Sequence, residues 1–119
     1  MEIQGEAKLI RIFVGESDLI GHIPVYEKIV LEARKTHLAG ATAFKGVMGF
    51  GRTSMIHTAK ILRLSEDMPM VIEIVDEVQK IEEFLPVLHD IFEEAGSGGL
   101  ITMEKVEIIK YVKGENINQ

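Results

Sequence analysis

The sequence contains no cysteine and no tryptophan, and aromatic residues make up only 6% of its 119 positions. Without cysteine, the chain can form no disulfide, no thiolate nucleophile and no zinc–thiolate site. Its histidines are His22, His37, His57 and His89. None of them follows another at the i, i+4 spacing that lets two imidazoles on one helix bind a metal. We therefore predict no metal site and no thiol chemistry.

An excess of positive charge and a long hydrophobic run are also absent. The formal net charge is -6, whereas proteins that bind nucleic acid need a basic surface, so we predict no nucleic-acid partner. No apolar run approaches the ~18 residues that cross a bilayer, and the N-terminus lacks the pattern of a secretory signal. With 46% apolar and 27% charged residues, the composition predicts a cytoplasmic protein that is not embedded in a membrane. The length predicts a single domain over residues 1–119.

Hydrophobic periodicity predicts four strands and two helices. The predicted strands are 7–14, 41–48, 70–75 and 100–112. The first helix follows Pro24, carries His37 on its apolar stripe and has Gly40 as its C-terminal cap. Asp76 is predicted to cap the second helix, which Pro86 should kink and which ends at Ala95. Residues 52–65 are predicted to form a partly extended loop, and 114–119 a polar tail.

The resulting order, β-α-β-β-α-β, is typical of the α+β ferredoxin-like sandwich, in which two helices cover one face of an antiparallel sheet. The opposite face would carry Leu9, Phe13, Val71 and Val75, and no helix remains to cover them. Since large apolar patches are seldom left in water, we expect the protein to self-associate through this face.

Two glycine-rich segments are the candidate ligand-binding features. The first is Gly46-Val47-Met48-Gly49-Phe50-Gly51-Arg52, and its glycine amides can form an anion-binding concavity beside Arg52. It lacks the third glycine and the following helix of a dinucleotide fingerprint, and a plain strand-ending turn is the alternative interpretation. The second segment, Gly96-Ser97-Gly98-Gly99, is by itself also typical of a linker between a helix and a strand.

The element order and the stretch from Gly46 to Arg52 resemble the PII signalling family. Further positions extend the likeness, in particular to PII-like proteins grouped as a domain of unknown function. They are Gly40-Ala41-Thr42, Ile56-His57, Leu64-Ser65, Pro69 and the run from Val71 to Asp76. The resemblance covers essentially the whole chain.

This resemblance implies a homotrimer that binds an adenine nucleotide (ADP, ATP or AMP) between neighbouring subunits and signals through a mobile loop at residues 52–65. It implies a sensor that is not an enzyme, with a membrane transporter or an enzyme as the regulated partner. The nucleotide-binding residues carried over by position are Gly49, Gly51, Arg52, Thr53, Ser97, Gly98, Gly99 and Lys110. Because the two glycine segments end one strand and begin another, they are expected to meet only between adjacent subunits.

The chain departs from the PII pattern in its cations. Leu100 stands where the family has a lysine, and Lys110 and Lys113 stand in place of two arginines near the end of the last strand. A weaker set of cations favours ADP, AMP or a cyclic nucleotide over a triphosphate.

Two other functions remain open from the sequence. A structural or metal-tolerance trimer of the CutA kind shares the expected fold, and it would have a fixed hairpin where a sensor has a mobile loop. An enzyme acting on a nucleotide is less favoured, because the sequence shows no nucleophile with a base at a recognised spacing.

Overall fold

The structure, a computed structural model, describes residues 5–47 and 67–114. The elements are β1 Gly5–Gly15, β2 Leu19–Ile20, β3 Ile23–Pro24, α1 Val25–Lys35, β4 Thr42–Lys45, β5 Pro69–Asp76, α2 Val78–Ala95 and β6 Leu100–Ile108. The predicted mobile loop at 52–65 lies outside the described residues, and so does the tail beyond Gly114.

Four strands form an antiparallel sheet in the order β4-β5-β1-β6. Central β1 pairs with β5 on one side, where Ile12 lies opposite Ile72, and with β6 on the other, where Ile12 lies opposite Ile101. β4 pairs antiparallel with β5, as expected for a hairpin-like return. The predicted ferredoxin-like α+β arrangement is confirmed.

The core lies between the sheet and the two helices, on what we call the covered face. Alternate β-branched residues of the central strands point into it, because side chains alternate between the faces of a strand. Its fully buried large side chains include Ile10, Ile12, Ile72 and Ile74 from the sheet, Ile29 from α1, and Ile81, Phe84 and Leu88 from α2. Each such side chain contributes about 1.5–3 kcal/mol of hydrophobic stabilisation on burial.

The first helix begins directly after Pro24, as predicted, but ends earlier than predicted. Pro24 precedes the first helical residue, with φ -58°, and Thr36 is the C-terminal cap. The Thr36 hydroxyl donates to the Glu32 carbonyl oxygen at 2.9 Å, and His37 then takes the positive φ of 62° that the sequence assigns to Gly40. The predictions of a Gly40 cap and of a half-buried His37 on the helix stripe are therefore wrong, since His37 lies exposed beyond the helix.

Asp76 does not cap the second helix by its side chain. The N-cap is Glu77, and the buried Asp76 carboxylate accepts the Ala39 N–H at 2.8 Å and the Glu77 N–H at 2.7 Å. Asp76 therefore ties the start of α2 to the loop between α1 and β4. The helix runs through Pro86, which lies on its exposed side. Proline has no N–H to donate to the carbonyl oxygen one turn earlier, and water can hydrogen-bond that oxygen instead.

The last strand is shorter than predicted. β6 ends at Ile108, which lies opposite Gly5, the first residue of β1 that the structure describes. The short hairpin of β2 and β3 is an addition, in a stretch where the sequence indicates only a loop.

Candidate functional site

One end of the sheet, which we call the loop end, collects the segments singled out by the sequence. The strand termini there are Gly15 of β1, Lys45 of β4, Pro69 of β5 and Leu100 of β6. Residues 46–47 leave the sheet after β4, and residues 96–99 enter it before β6. Because β4 and β6 are the two outer strands, these segments lie at the same end but on opposite edges. Three interstrand spacings, about 14 Å, separate the edges within one chain.

Gly46 fixes how the chain leaves β4. Its N–H donates to the Pro69 carbonyl oxygen at 2.7 Å, and a Cβ at Gly46 would lie 2.7 Å from Pro69 Cγ. Only glycine fits this approach without a shift of the backbone or of the proline ring. The described part of the first glycine segment ends at Val47. Four predicted ligand-binding residues therefore lie outside the described residues, namely Gly49, Gly51, Arg52 and Thr53.

The chain is also fixed where its description resumes. The Asp67 carboxylate accepts the Ser17 N–H at 3.1 Å and the Ser17 hydroxyl at 2.8 Å. Beside it, Lys45 Nζ lies 2.9 Å from a carboxylate oxygen of Glu16. Both ends of segment 48–66 are therefore attached to the residues that follow β1.

The electrostatic balance at the loop end is acidic. Among the described residues, Glu16, Asp18 and Asp67 lie here against Lys45, whose charge Glu16 already neutralises. Asp18 accepts the Gly15 N–H at 2.9 Å, which leaves its charge in place. An anionic ligand at this end therefore needs a cation beyond these four residues.

The second glycine segment is a shaped turn between α2 and β6. Gly96 ends the helix in the left-handed region, with φ 68°, and its N–H donates to the Phe92 carbonyl oxygen at 2.9 Å. A Cβ on Gly99 would overlap the ring of Phe92 and lie 3.1 Å from the Phe13 carbonyl oxygen. The Ser97 hydroxyl oxygen is buried and has no hydrogen-bond partner in the part of the chain that the structure describes. Such a group costs stability unless something else satisfies it.

Lys110 lies at the opposite end of the sheet. β6 runs from Leu100 at the loop end to Ile108, a rise of about 27 Å, and Lys110 follows that far terminus. The contacts of Tyr111 agree with this position. Its hydroxyl donates to the carbonyl oxygen of Ala39, and the N–H of Ala39 donates to Asp76 at the far end of the sheet. The structure thus brings Ser97, Gly98 and Gly99 together and separates Lys110 from them.

The second face of the sheet, which we call the open face, contains a charged group that the sequence did not single out. Arg11 Nε lies 2.7 Å from Glu73 Oε2, and Arg11 Nη1 lies 3.3 Å from Glu104 Oε1. The hydrogen bond to Glu73 raises the pKa of Arg11 above its ordinary value. A signal was available, since Arg11 and Glu73 each stand between two isoleucines in their strands.

A profile of the DUF190 family, described as "Uncharacterized ACR", matches residues 7–108. The chain belongs to the DUF190 family. A UPF0166 protein of Aquifex aeolicus is 37% identical over 102 residues, which are 86% of this chain and 92% of that protein. A UPF0166 protein of Methanocaldococcus jannaschii is 30% identical over 105 residues, 88% of this chain and 94% of that protein. The names of these relatives state no activity.

Solved structures of the nitrogen regulatory PII-like protein CPII of Thiomonas intermedia K12 resemble this DUF190 chain in fold. The structure with ADP and bicarbonate has a TM-score of 0.58 at 15% identity and covers 87% of this chain and 88% of its own. The structure with ADP, AMP and bicarbonate has a TM-score of 0.58 at 14% identity, with the same coverage. At such identities the likeness confirms the PII-like fold that the sequence predicts.

Two features are absent from the described residues. No helix there is long and apolar enough to cross a membrane. In the same residues, no group of three or more histidine, aspartate or glutamate side chains is arranged to hold a metal ion.

Proposed function

We propose that this DUF190 protein is a PII-like regulatory protein. It binds an adenine nucleotide between neighbouring copies in a homotrimer, and the bound nucleotide changes the segment around residues 52–65, which a partner protein recognises. The partner is a membrane transporter or an enzyme, as the PII resemblance implies.

The observation that carries this proposal is the position of the two glycine segments. Their described parts, residues 46–47 and 96–99, lie at one end of the sheet and on opposite edges, so one chain holds them about 14 Å apart. In a closed ring, the β4 edge of one copy faces the β6 edge of the next, and the two segments become neighbours. A ligand seated between them would be read by two chains at once.

The chemistry of the segments suits a phosphate group. Backbone amides at Gly49 and Gly51 would face the phosphate, with Arg52 as its cation and Thr53 as a further donor. From the neighbouring copy, Ser97 would offer a hydroxyl that the described chain leaves without a partner, and Gly98 and Gly99 would allow close approach. Lys110 is left out because it lies at the far end.

The acidic loop end bears on which nucleotide binds. Glu16, Asp18 and Asp67 disfavour a high negative charge nearby, and Lys45 is neutralised by Glu16. We therefore propose ADP or AMP in preference to ATP, whose extra charge would require further cations.

Signalling requires that the ligand favour one state of the 52–65 segment over another. Both ends of the longer segment 48–66 are fastened to the sheet end, through Gly46 to Pro69 and through Asp67 to Ser17. A ligand that binds Arg52 would therefore restrict a segment whose ends are already held, which lowers the entropic cost of ordering it.

Isothermal titration with ATP, ADP, AMP and cyclic AMP tests the proposal. We expect ADP or AMP to bind most tightly, with Arg52→Ala about 10- to 100-fold weaker and Ser97→Ala about 5-fold weaker. Thr36→Ala is the matched control for the loss of a hydroxyl, because Thr36 caps α1 away from the site. Failure of all four nucleotides to bind would rule out the ligand.

A trimer of the CutA kind, without nucleotide sensing, is the second candidate. The hydrogen bonds of Gly46 to Pro69 and of Ser17 to Asp67 are compatible with this candidate, because they would also hold a fixed hairpin in place. Limited proteolysis separates the two, since a sensor should be cut between residues 52 and 65 and protected by nucleotide, whereas a packed hairpin should resist in both conditions.

We also propose that the protein is not an enzyme. An assay of ATP hydrolysis tests this, and turnover that is abolished by Arg52→Ala would revive a catalytic role.

A further inference from the structure

The open face is organised in rows that cross all four strands. In the register of the sheet, Phe44 lies opposite Val71, Val71 opposite Phe13, and Phe13 opposite Leu100. We call these four the apolar row. The next row toward the far end is polar and consists of Thr42, Glu73, Arg11 and Thr102.

Exposure in the apolar row rises toward its ends. Val71, in the middle, is 9% exposed, whereas Phe44 and Leu100 at the two edges are 45% and 55% exposed. The polar row ends in threonine at both edges, at Thr42 and Thr102. Each edge thus presents the same order of chemistry, an exposed large hydrophobic residue followed by a threonine, so the two edges match one another.

The strand directions also match. Neighbouring strands of the sheet are antiparallel throughout, so the outer strands β4 and β6 run in opposite directions. If β6 of one copy lies beside β4 of the next, the alternation of directions continues across the boundary. Both rows then continue across it as well.

We infer that neighbouring copies meet edge to edge, β4 against β6, with Phe44 of one copy packed against Leu100 of the next. The inference rests on the proposed assembly and names the residues that set its register. It also explains why β6 is a long exposed edge with apolar residues on both faces, since Ile101 and Met103 are 37% and 42% exposed on the side of the helices. An uncovered edge of this kind is a site of association.

Pairing of β6 with its own copy about a two-fold axis fits less well. Full overlap of Leu100–Ile108 with itself in the antiparallel sense places Glu104 directly opposite Glu104. Like charges in directly opposed positions destabilise a strand pair. It also places Leu100 at the Ile108 end of the other copy, which interrupts the apolar row.

The contact would assemble the proposed ligand site. Gly46 follows Phe44 by two residues, and Gly99 precedes Leu100 by one. Packing of Phe44 on Leu100 therefore brings segments 46–47 and 96–99 of adjacent copies side by side at the loop end. The Phe44–Leu100 register would then decide whether the site forms.

Cysteine cross-linking tests the register in a chain that has no cysteine of its own. Phe44→Cys and Leu100→Cys are made separately, unfolded, mixed and refolded together. The mixture is then oxidised with copper phenanthroline, which joins cysteines whose Cα atoms lie within about 7 Å. We expect a disulfide-linked heterodimer on a non-reducing gel from the mixture and little from either variant alone. The double variant should give a covalent ladder that stops at three chains.

Leu31→Cys is the matched control, because Leu31 is a leucine on α1 with 43% exposure. It should not cross-link to Phe44→Cys. Circular dichroism of each variant checks that the fold is kept. Homodimers of Phe44→Cys or of Leu100→Cys as the main product, cross-linking to Leu31→Cys at an equal level, or no product beyond background would each overturn the inference.

Charge variants give a second readout by sedimentation. Phe44→Lys and Leu100→Glu alone should each weaken association about 30-fold or more, as loss of an interface anchor does. Each lies on an exposed edge, so the monomer should still fold. Mixing the two should restore association, because Phe44 of one variant and Leu100 of the other are intact and can still form one contact. Restored association on mixing Phe44→Lys with Phe44→Glu, which leaves no intact Phe44, would contradict the register.

The ligand and the register fail separately. Silence in the nucleotide titrations together with a clear Phe44–Leu100 cross-link would rule out the proposed ligand and leave the edge contact in place. Nucleotide binding without that cross-link would do the opposite.

Discussion

The two faces of the central sheet are built by alternate residues of the same strands, and they differ in what completes them. On the covered face, Ile10, Ile12, Ile72 and Ile74 are at most 1% exposed beneath the two helices. On the open face, Phe44 and Leu100 are about half exposed and the Arg11 group stays in contact with water. One chain therefore buries the covered face and leaves both edges of the open face exposed.

The largest effect should come from deletion of an aromatic ring on each side of this comparison. Phe84→Ala, at 1% exposure, should lower the free energy of unfolding by about 3–5 kcal/mol, because it leaves a cavity under the sheet. The loss should be the same at all protein concentrations. Phe44→Ala is the partner variant, and its effect should appear mainly as concentration-dependent stability. Urea denaturation at two protein concentrations measures both, and a concentration-independent loss of similar size in Phe44→Ala would erase the contrast.

A smaller effect is expected at the far end of the covered face, from Asp76→Asn. The carboxylate accepts N–H groups from Ala39 and Glu77, and an amide can accept only with its one oxygen. We expect a loss of about 1.5–3 kcal/mol in urea denaturation. The exposed Asp90→Asn serves as the control and should change the free energy of unfolding by no more than about 0.5 kcal/mol. Equal stability of Asp76→Asn and wild type would show that the buried carboxylate contributes nothing as an acceptor.

The next largest loss of stability is expected from Gly99→Ala, directly before β6 at the loop end of the sheet. The added methyl group would press on the ring of Phe92 and on the carbonyl oxygen of Phe13, which belongs to β1 and cannot rotate away. Overpacking of this kind costs about 1–3 kcal/mol. Gly40→Ala is the control, because a Cβ there meets nothing within 4 Å, and it should be neutral within about 0.5 kcal/mol. Thermal unfolding of the two variants would refute the tight contact if their midpoints were the same.

The sequence predicts the elements and the uncovered face well, because both follow from periodicity. Ile10 and Ile12 alternate with Leu9 and Phe13, and the helices supply only one layer. It predicts their ends less well, because ends depend on neighbours. β6 stops at Ile108, opposite Gly5 of β1, although the alternation of residue types continues to Val112.

Local signals at the helix ends were outweighed by contacts that are distant in the sequence. Gly40 is the better residue for a left-handed cap, yet His37 takes the positive φ, and Lys80 Nζ then binds its carbonyl oxygen at 3.0 Å from 43 residues away. For Asp76 the sequence predicts a helix cap, but its carboxylate accepts the N–H groups of Ala39 and Glu77. No pattern in one sequence reports such partners.

The sequence identified the glycine segments of the candidate site better than it predicted where its residues lie in the fold. Ser97 and Gly99 form a shaped turn at the end where residues 46–47 also leave the sheet, on the opposite edge. That the two glycine segments meet between adjacent subunits stays a prediction. Lys110 follows the far terminus of β6, and it would lie at that end of the sheet whether the strand ended at Ile108 or, as predicted, at Val112.

The smallest expected effect lies on the outer surface of α1, which covers the core and takes no part in the open face. Burial raises the pKa of Glu32, but hydrogen bonds from Lys28 and Lys35, both at 3.3 Å, outweigh it and bring that pKa below its ordinary value of 4.5. A lowered pKa in the folded state means stabilisation that is present above pH 4.5 and lost as the pH falls through the folded pKa. Since both pairs are partly exposed, the contribution should be under about 1 kcal/mol and should fade in high salt.

The measurement is the difference in unfolding free energy between wild type and Glu32→Gln at pH 7 and at pH 3. The difference should be present at pH 7 and smaller at pH 3, because protonation of the folded-state carboxylate as the pH falls removes it. Glu94→Gln is the control, since no ion pair to Glu94 occurs within the described residues, and it should show no loss at pH 7. A difference for Glu32→Gln that persisted undiminished at pH 3 would assign the effect of this residue to packing of its side chain, and α1 would then stabilise the covered face without help from its charges.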